Sequence, residues 1–345
     1  MRKRILIAAL ASALFAACAF PAFAEAKAET VFTDGDVNRK DASGKLRELE
    51  VGDKLASGES VITGAASSAE LKLLAGASSI KIRQNTVFTL GERDVGGQKQ
   101  TVLQTVVGQA AMKFEKLGAK EPLVGTSSCI AGVRGTEVEI FAAMDGSSVV
   151  AVRSGAVQLE SGGATVDLGE NEAVEVKPDQ APGPKFAWIG KELDFSAWDR
   201  GKLDGYLADP VDSVERVGEQ LVSYRASMEA LVPELAAQKA AYDEAYARLK
   251  ELVDAKKDDE AKALREGTVF PLMQAQATLI LNIRYYALTS LSLRRYVLGG
   301  MYMELKTRHP KGADDPAFAP FLAVYSRIIE DFEAGIAPQL VDADI

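Results

Sequence analysis

The sequence predicts a two-domain α+β protein. An all-β sandwich, roll or solenoid-like domain is expected over residues 25–177, and an α-helical bundle with long antiparallel helices over 206–345. Three observations predict this division. Of the 29 Gly, 23 lie at or before Gly205, whereas all nine Tyr lie after it. Short apolar runs of period two recur in the first half, and apolar residues at three-four spacing fill the second. With 345 residues, 47% hydrophobic and 26% charged, the chain can bury its cores without metal or disulfide support.

The amino end reads as an export signal over residues 1–24. Arg2, Lys3 and Arg4 precede an apolar run from Ile5 to Phe20, and Ala22-Phe23-Ala24 supplies the small-x-small cleavage pattern before Glu25. Cleavage there removes three basic and no acidic residues, taking the formal charge from −9 to −12. A competing reading is lipoprotein processing, because Phe15-Ala16-Ala17-Cys18 resembles a lipobox in which Cys18 would be acylated. The next most apolar stretch, Ala275 to Gly300, is interrupted by Arg284, Arg294 and Arg295, so no spanning segment is expected in the mature chain. The expected location is periplasmic or otherwise extracytoplasmic. Cleavage after Ala24 leaves Cys129 as the lone thiol, either buried and inert, the commoner outcome, or in an intermolecular bridge.

Seven runs carry the strand signal: 69–73, 79–82, 87–90, 138–141, 149–152, 156–159 and 173–176. Gly76, Gly146, Gly155 and Gly162-Gly163 are expected where the chain reverses, since glycine takes positive φ without penalty. Pro178, Pro182 and Pro184 end the pattern, so 178–205 reads as a connector that packs Phe186, Trp188 and Trp198 against one domain. From about Val211 to Leu252 the period changes, as on one long helix. Val214, Val217, Leu221, Tyr224, Met228, Leu231, Leu235, Gln238, Tyr242, Ala245, Leu249 and Leu252 form a coiled-coil-like seam, with a kink expected at Pro233. A turn is expected at Lys256–Asp259, then helices over 259–305, with Pro271 a kink or start, and over 316–332. The seam serves either an internal core or a surface for self-association or an envelope partner.

Little in the sequence points to catalysis, and no cofactor or metal site is expected. One His and two Cys are too few for the common zinc sites, and any His-dependent nucleophile must rest on His309, expected in an exposed loop. Asp34-Gly35-Asp36-Val37-Asn38 imitates the start of a calcium loop, but Arg39 and Lys45 stand where Gly and Glu are required. Ser127 and Ser128 have no base beside them in sequence. The acidic charge without a basic cluster argues against nucleic acid and anionic lipid. A glycan-binding face would want aromatic platforms, and the β half has no Tyr.

Several ordered blocks nevertheless resemble a known family. They are Val51-Gly52-Asp53, Gly58-Glu59-Ser60-Val61-Ile62-Thr63, Ser68 to Leu73, Gly76 to Ile82 running to Asn85-Thr86, Val133-Arg134-Gly135-Thr136-Glu137-Val138-Glu139-Ile140, Val152 to Leu159, and Val166 to Glu170. Residues 31–177 thereby resemble the FecR domain family, named after a regulator of iron-citrate uptake. The resemblance implies a β-rich protein-interaction or sensing module outside the cytoplasm, with Arg134, Gly135 and Thr136 as the family signature. It also implies departures, since Ser127 replaces a frequent Pro and Glu59 a usual Asp. Iron-citrate-type regulators carry a cytoplasmic anti-sigma segment and a membrane helix ahead of this domain. The signal peptide expected here therefore argues against direct control of a sigma factor. Physically, Gly135 permits a tight bend, Thr136 can satisfy a backbone group, and Arg134 can pin a turn or hold a partner's carboxylate. The expected activity is a non-enzymatic interaction, sensing or scaffold role, with peptidoglycan or glycan association as the alternative.

Overall fold

The computed structural model describes residues 25–76, 78–115, 121–188 and 195–338, and for Arg134 the backbone alone. The expected signal segment 1–24 and Cys18 lie outside the described residues. Among the described residues, fifteen strands are followed by helices, the two-part α+β organisation expected. No described helix is long and apolar enough to cross a membrane.

The strands are β1 (Ala26–Asp34), β2 (Val37–Lys40), β3 (Leu46–Glu48), β4 (Lys54–Ala56), β5 (Ser60–Thr63), β6 (Ser68–Leu73), β7 (Ser79–Ile82), β8 (Val87–Val95), β9 (Gln98–Lys113), β10 (Leu123–Gly125), β11 (Ile130–Ala142), β12 (Ser148–Ser161), β13 (Ala164–Leu168), β14 (Glu172–Val176) and β15 (Lys185–Ala187). They join into one hydrogen-bonded network whose main path runs β15-β14-β12-β11-β10-β9-β7-β6-β1-β4. The network folds over a single apolar core because three long strands change partners part-way along. β9 pairs with β8 up to Val107, then with β7 and β11 from Gly108 onward. β12 pairs with β14 through Ser148–Ala151 and with β13 through Val157–Ser161. The inner side chains, among them Leu71, Ile80, Phe88, Leu103, Ile140 and Leu159, are fully buried.

A glycine at positive φ sits at each bend: Gly108 (+92°), Gly135 (+56°) and Gly155 (+86°). The bend corrects one expectation, because 149–152 and 156–159 belong to one bent strand rather than two strands joined by a reversal at Gly155. Gly76, Gly146, Gly162 and Gly163 do occupy turns at positive φ. The calcium-like segment is the β1–β2 turn, with Gly35 at +78° and Asn38 Nδ2 donating to Asp36 Oδ1.

The segment 178–205 adds edge strand β15 against β14 and most of helix α1 (Ser196–Ala208). Trp188 is buried with Phe141, Val149, Ala151 and Ala173, and Trp198 packs on the same cluster. Phe186 faces solvent instead, a correction that follows from its place on an edge strand.

Helix α2 (Pro210–Asp254) starts where Asp209 accepts a hydrogen bond from the Asp212 N–H and Pro210 takes the first position. It continues through Pro233, whose ring lies on the exposed side. The chain turns at Lys256, φ +55°, and returns as one rod built from α3 (Asp258–Leu264), a π-helical turn Arg265–Val269, α4 (Phe270–Ser292), a second π-helical stretch Leu293–Leu298, and α5 (Gly299–Arg308). Pro271 stands at the start of α4, directly after the wider π turn. Helix α6 (Ala319–Gly335) closes the bundle. It approaches α2 over Gly218, where a Cβ would lie 2.8 Å from Ile328 Cδ1.

Every member of the three-four seam is buried or half-buried within the chain. Its first half joins α4, α5 and α6 in one core. Beyond Leu235 only α2 and the returning rod meet, in a small cluster of Tyr242, Leu249, Ala261, Leu264 and Val269. Gln238, the polar member of the seam, accepts at its backbone carbonyl from Gln276 Nε2 at 3.1 Å. The distal helices thus form a two-helix arm.

Candidate functional site

The signature residues fall on the bend of β11. Opposite β12, the pairing register shifts between Arg134 and Glu137, the mark of a β-bulge. Gly155 faces the bulge so closely that a Cβ there would lie 2.7 Å from the Gly135 carbonyl oxygen. Thr136 is buried, and its Oγ1 donates to the Ala156 carbonyl at 3.1 Å while its own carbonyl accepts from the Phe114 N–H at 2.9 Å. Gly135 and Thr136 therefore build the corner at which the sheet folds over its core. The Arg134 side chain, expected to pin a turn or hold a carboxylate, lies outside what is described.

Three residues beyond Thr136, Glu139 is buried with 2% side-chain exposure. Its carboxylate accepts from Gln109 Nε2 at 2.7 Å and from Arg153 Nη2 at 3.0 Å. The Arg153 guanidinium in turn lies 4.9 Å from the Trp188 ring centre, tying the edge of the sheet to the segment leading to the helices. A buried carboxylate persists because it has both an ion-pair partner and a neutral donor.

The helices are docked on the β region through polar side chains, of which the sequence singled out only Tyr224, as a seam residue. Asp94 on β8 takes Thr278 Oγ1 at 3.2 Å and the Gly97 N–H at 2.9 Å, and its own N–H donates to Asn282 Oδ1 at 2.9 Å. Tyr224 donates to the Ser127 carbonyl at 2.7 Å, and burial pushes its hydroxyl well above the usual tyrosine range, so it stays a donor. Asp179 N–H donates to Gln220 Oε1 at 2.7 Å. The three-four period finds Tyr224 as a seam member, but not its hydroxyl's role, and it cannot find Asp94, Gln220, Thr278 or Asn282, which are isolated polar positions.

The remaining candidates are placed as follows. Cys129 is buried, and burial pushes its thiol up; Thr126 Oγ1 lies 3.4 Å from Sγ. Ser127 is buried, and Ser128 Oγ bonds the Gly146 carbonyl. His309 corrects an expectation. It is half-buried, with Nδ1 3.0 Å from Asp315 Oδ2 and its ring stacked on Phe318, because it caps α5 rather than hanging in a loop. Among the described residues, no group of three or more His, Cys, Asp or Glu could hold a metal ion. Cys129 and His309 each have their own partners, and no contact joins them.

The arm presents a second apolar stripe. Phe270, Met273 and Ile280 on α4 are each at least 40% exposed, and Ala277 between them is exposed too. Their spacing of three, four and three places them on one helix face. The first seam faces inward, whereas this one faces solvent.

Fold and site together define an α+β protein with a sharply bent β domain carrying a docked helical arm. Residues 59–158 match the model of the FecR protein family. The match begins within the Gly58–Thr63 block and ends on β12, so it includes the corner; it is narrower than the 31–177 expected. No curated protein matches the chain. Among solved structures, a candidate anti-sigma factor from Parabacteroides distasonis ATCC 8503, solved at 1.65 Å, is 17% identical, with a TM-score of 0.34. The similarity covers 41% of this chain and 65% of that one, so this chain spans less than two thirds of its relative's length. A second structure with that description, at 2.50 Å, gives 17% identity, coverage of 41% and 64%, and a TM-score of 0.33. A cell surface anchoring domain is 26% identical over 19% of this chain and 84% of that one, with a TM-score of 0.18.

Proposed function

We propose that the protein is a non-enzymatic, exported interaction or scaffold module of the cell envelope, with division into a β domain at 25–177, a connector at 178–205 and a helical part from 206 onward. The Phe270-Met273-Ala277-Ile280 stripe carries this reading. An exposed three-four stripe on a two-helix arm is a half-built coiled-coil seam, and an amphipathic helix of a partner protein completes it. The FecR domain match supports an extracytoplasmic, interacting protein, and in this reading the bent β domain holds the arm rigidly. Direct control of a sigma factor forms no part of the proposal.

A second reading, glycan or peptidoglycan association, is favoured by a cleft of about 400 Å³ beside α1. There Trp198 and Phe195 stand next to Gln84, Asn85, Gln109 and Asp199, an aromatic surface beside amides and a carboxyl. Burial raises the Asp199 carboxyl. The test is a crosslinked pull-down of the full chain from its own cells, with the sacculus fraction assayed in parallel. Recovery of one discrete envelope protein, lost in the Phe270→Glu/Met273→Glu variant, supports the interaction module. Sedimentation with sacculi without a protein partner overturns it in favour of glycan association.

A further inference from the structure

Where the turns of the β domain meet α2 and α4, a cleft of about 330 Å³ opens, and Arg93 is its cationic wall. The guanidinium lies 5.4 Å and 5.6 Å from the ring centres of Tyr285 and Tyr286. Its Nη2 donates to the Tyr286 hydroxyl at 3.2 Å, whereas Nε is buried and bonds no acceptor among the described residues. A guanidinium has five donors in a fixed fork suited to a carboxylate. Stacking on aromatic faces lowers the cost of its burial without using those donors. No described carboxylate lies within ion-pair distance of Arg93; its neighbour on β8, Glu92, pairs instead with Lys27 of β1 at 2.8 Å.

The same cleft has an acidic rim. Glu160 at the end of β12 and Asp179 beyond β14 line it with exposed side chains, and neither forms an ion pair with a described residue. Between the two ends lie Ser223, Gln220 and the Gly162-Gly163 turn, a polar lining rather than an apolar one. The volume is at the lower end of the roughly 300–1,000 Å³ typical of small-molecule sites. A simple anion would meet repulsion at the rim, and a simple cation would meet Arg93. A molecule with both charges satisfies both ends.

We propose that this cleft binds a small zwitterion of the amino-acid or dipeptide class, its carboxylate on Arg93 and its ammonium group at Glu160 and Asp179. The site is separate from the arm stripe and does not rest on the interaction reading.

Calorimetric titration of the full mature chain tests it with L-alanyl-L-alanine, its C-terminal amide and its N-acetyl derivative. The expected result is saturable dipeptide binding, weakened at least tenfold by amidation and at least fivefold by acetylation, and lost in Arg93→Gln. Circular dichroism checks that this variant folds. If it does not, the exposed Glu160→Gln/Asp179→Asn pair carries the test: it should remove the preference for the free over the acetylated dipeptide. Absence of dipeptide binding up to 10 mM overturns the proposal, as does equal binding of all three compounds or binding unchanged in the folded variants. None of these outcomes alters what the arm crosslinks to.

Discussion

Replacing Gly155 with Ala probes the corner on which the β domain depends. The residue sits at φ +86°, and an added Cβ would lie 2.7 Å from the Gly135 carbonyl oxygen and 3.0 Å from the Thr136 Cα. Both contacts are backbone, so no flexible side chain can move aside. The left-handed conformation alone costs a residue with a Cβ about 1–2 kcal/mol, and forcing apart two packed strands adds about 1–3 kcal/mol. The sum, about 2–5 kcal/mol, corresponds to a fall in Tm of about 5–15 °C. Gly163 is the control: it has φ +71°, but nothing lies within 4 Å of its added Cβ, so Gly163→Ala should cost about 1–2 kcal/mol from conformation alone. Urea unfolding followed by circular dichroism measures both variants. Equal destabilisation of the two would refute the close-approach argument, and with it the reading of the signature as a corner.

Three further outcomes are expected. Arg153→Met leaves the buried Glu139 carboxylate with only Gln109 as donor and should cost about 1–3 kcal/mol; in a double-mutant cycle with Glu139→Gln, most of that loss should disappear. Asp315 is held below the usual carboxylate range, first by its hydrogen bond with His309 and then by the Ala317 N–H. Because the folded value is depressed, its contribution to stability is present above the unfolded value near 3.8 and is lost as pH falls through the folded one. Urea midpoints for the parent and Asp315→Asn should therefore differ at pH 6 and converge near pH 2. Cys129, buried and with its thiol pushed up, should react with iodoacetamide at pH 8 about 100-fold or more slowly in the native chain than in urea; comparable rates would contradict its burial.

The two-part fold was legible because period two and three-four spacing survive wherever an element has one buried face. β6 and β7 alternate cleanly and match the expected runs. The longest strand, β9, was missed for the opposite reason. Val102 through Val106 are buried consecutively, since the β core covers one face and α4 approaches the other, so alternation disappears. The inward seam of α2 was legible residue by residue, but its destination was not: the spacing is identical whether the partner is this chain or another. The stripe at Phe270, Met273 and Ile280 escaped notice because the rod carrying it is apolar almost all round. Burial alone separates its two faces. Nothing in the pattern marks Arg93 or Asp94, and only the docked helices give each a distinct role.

The central claim is that the exposed stripe on the arm meets a partner protein. Site-specific photo-crosslinking in the native cells tests it most directly, with the crosslinker placed at Phe270 in one strain and at Val51, 62% exposed on the β domain, in another. The account predicts one discrete crosslinked protein from position 270 and none from position 51. The same diffuse background from both positions, or crosslinks from position 270 to glycan strands alone, would contradict it.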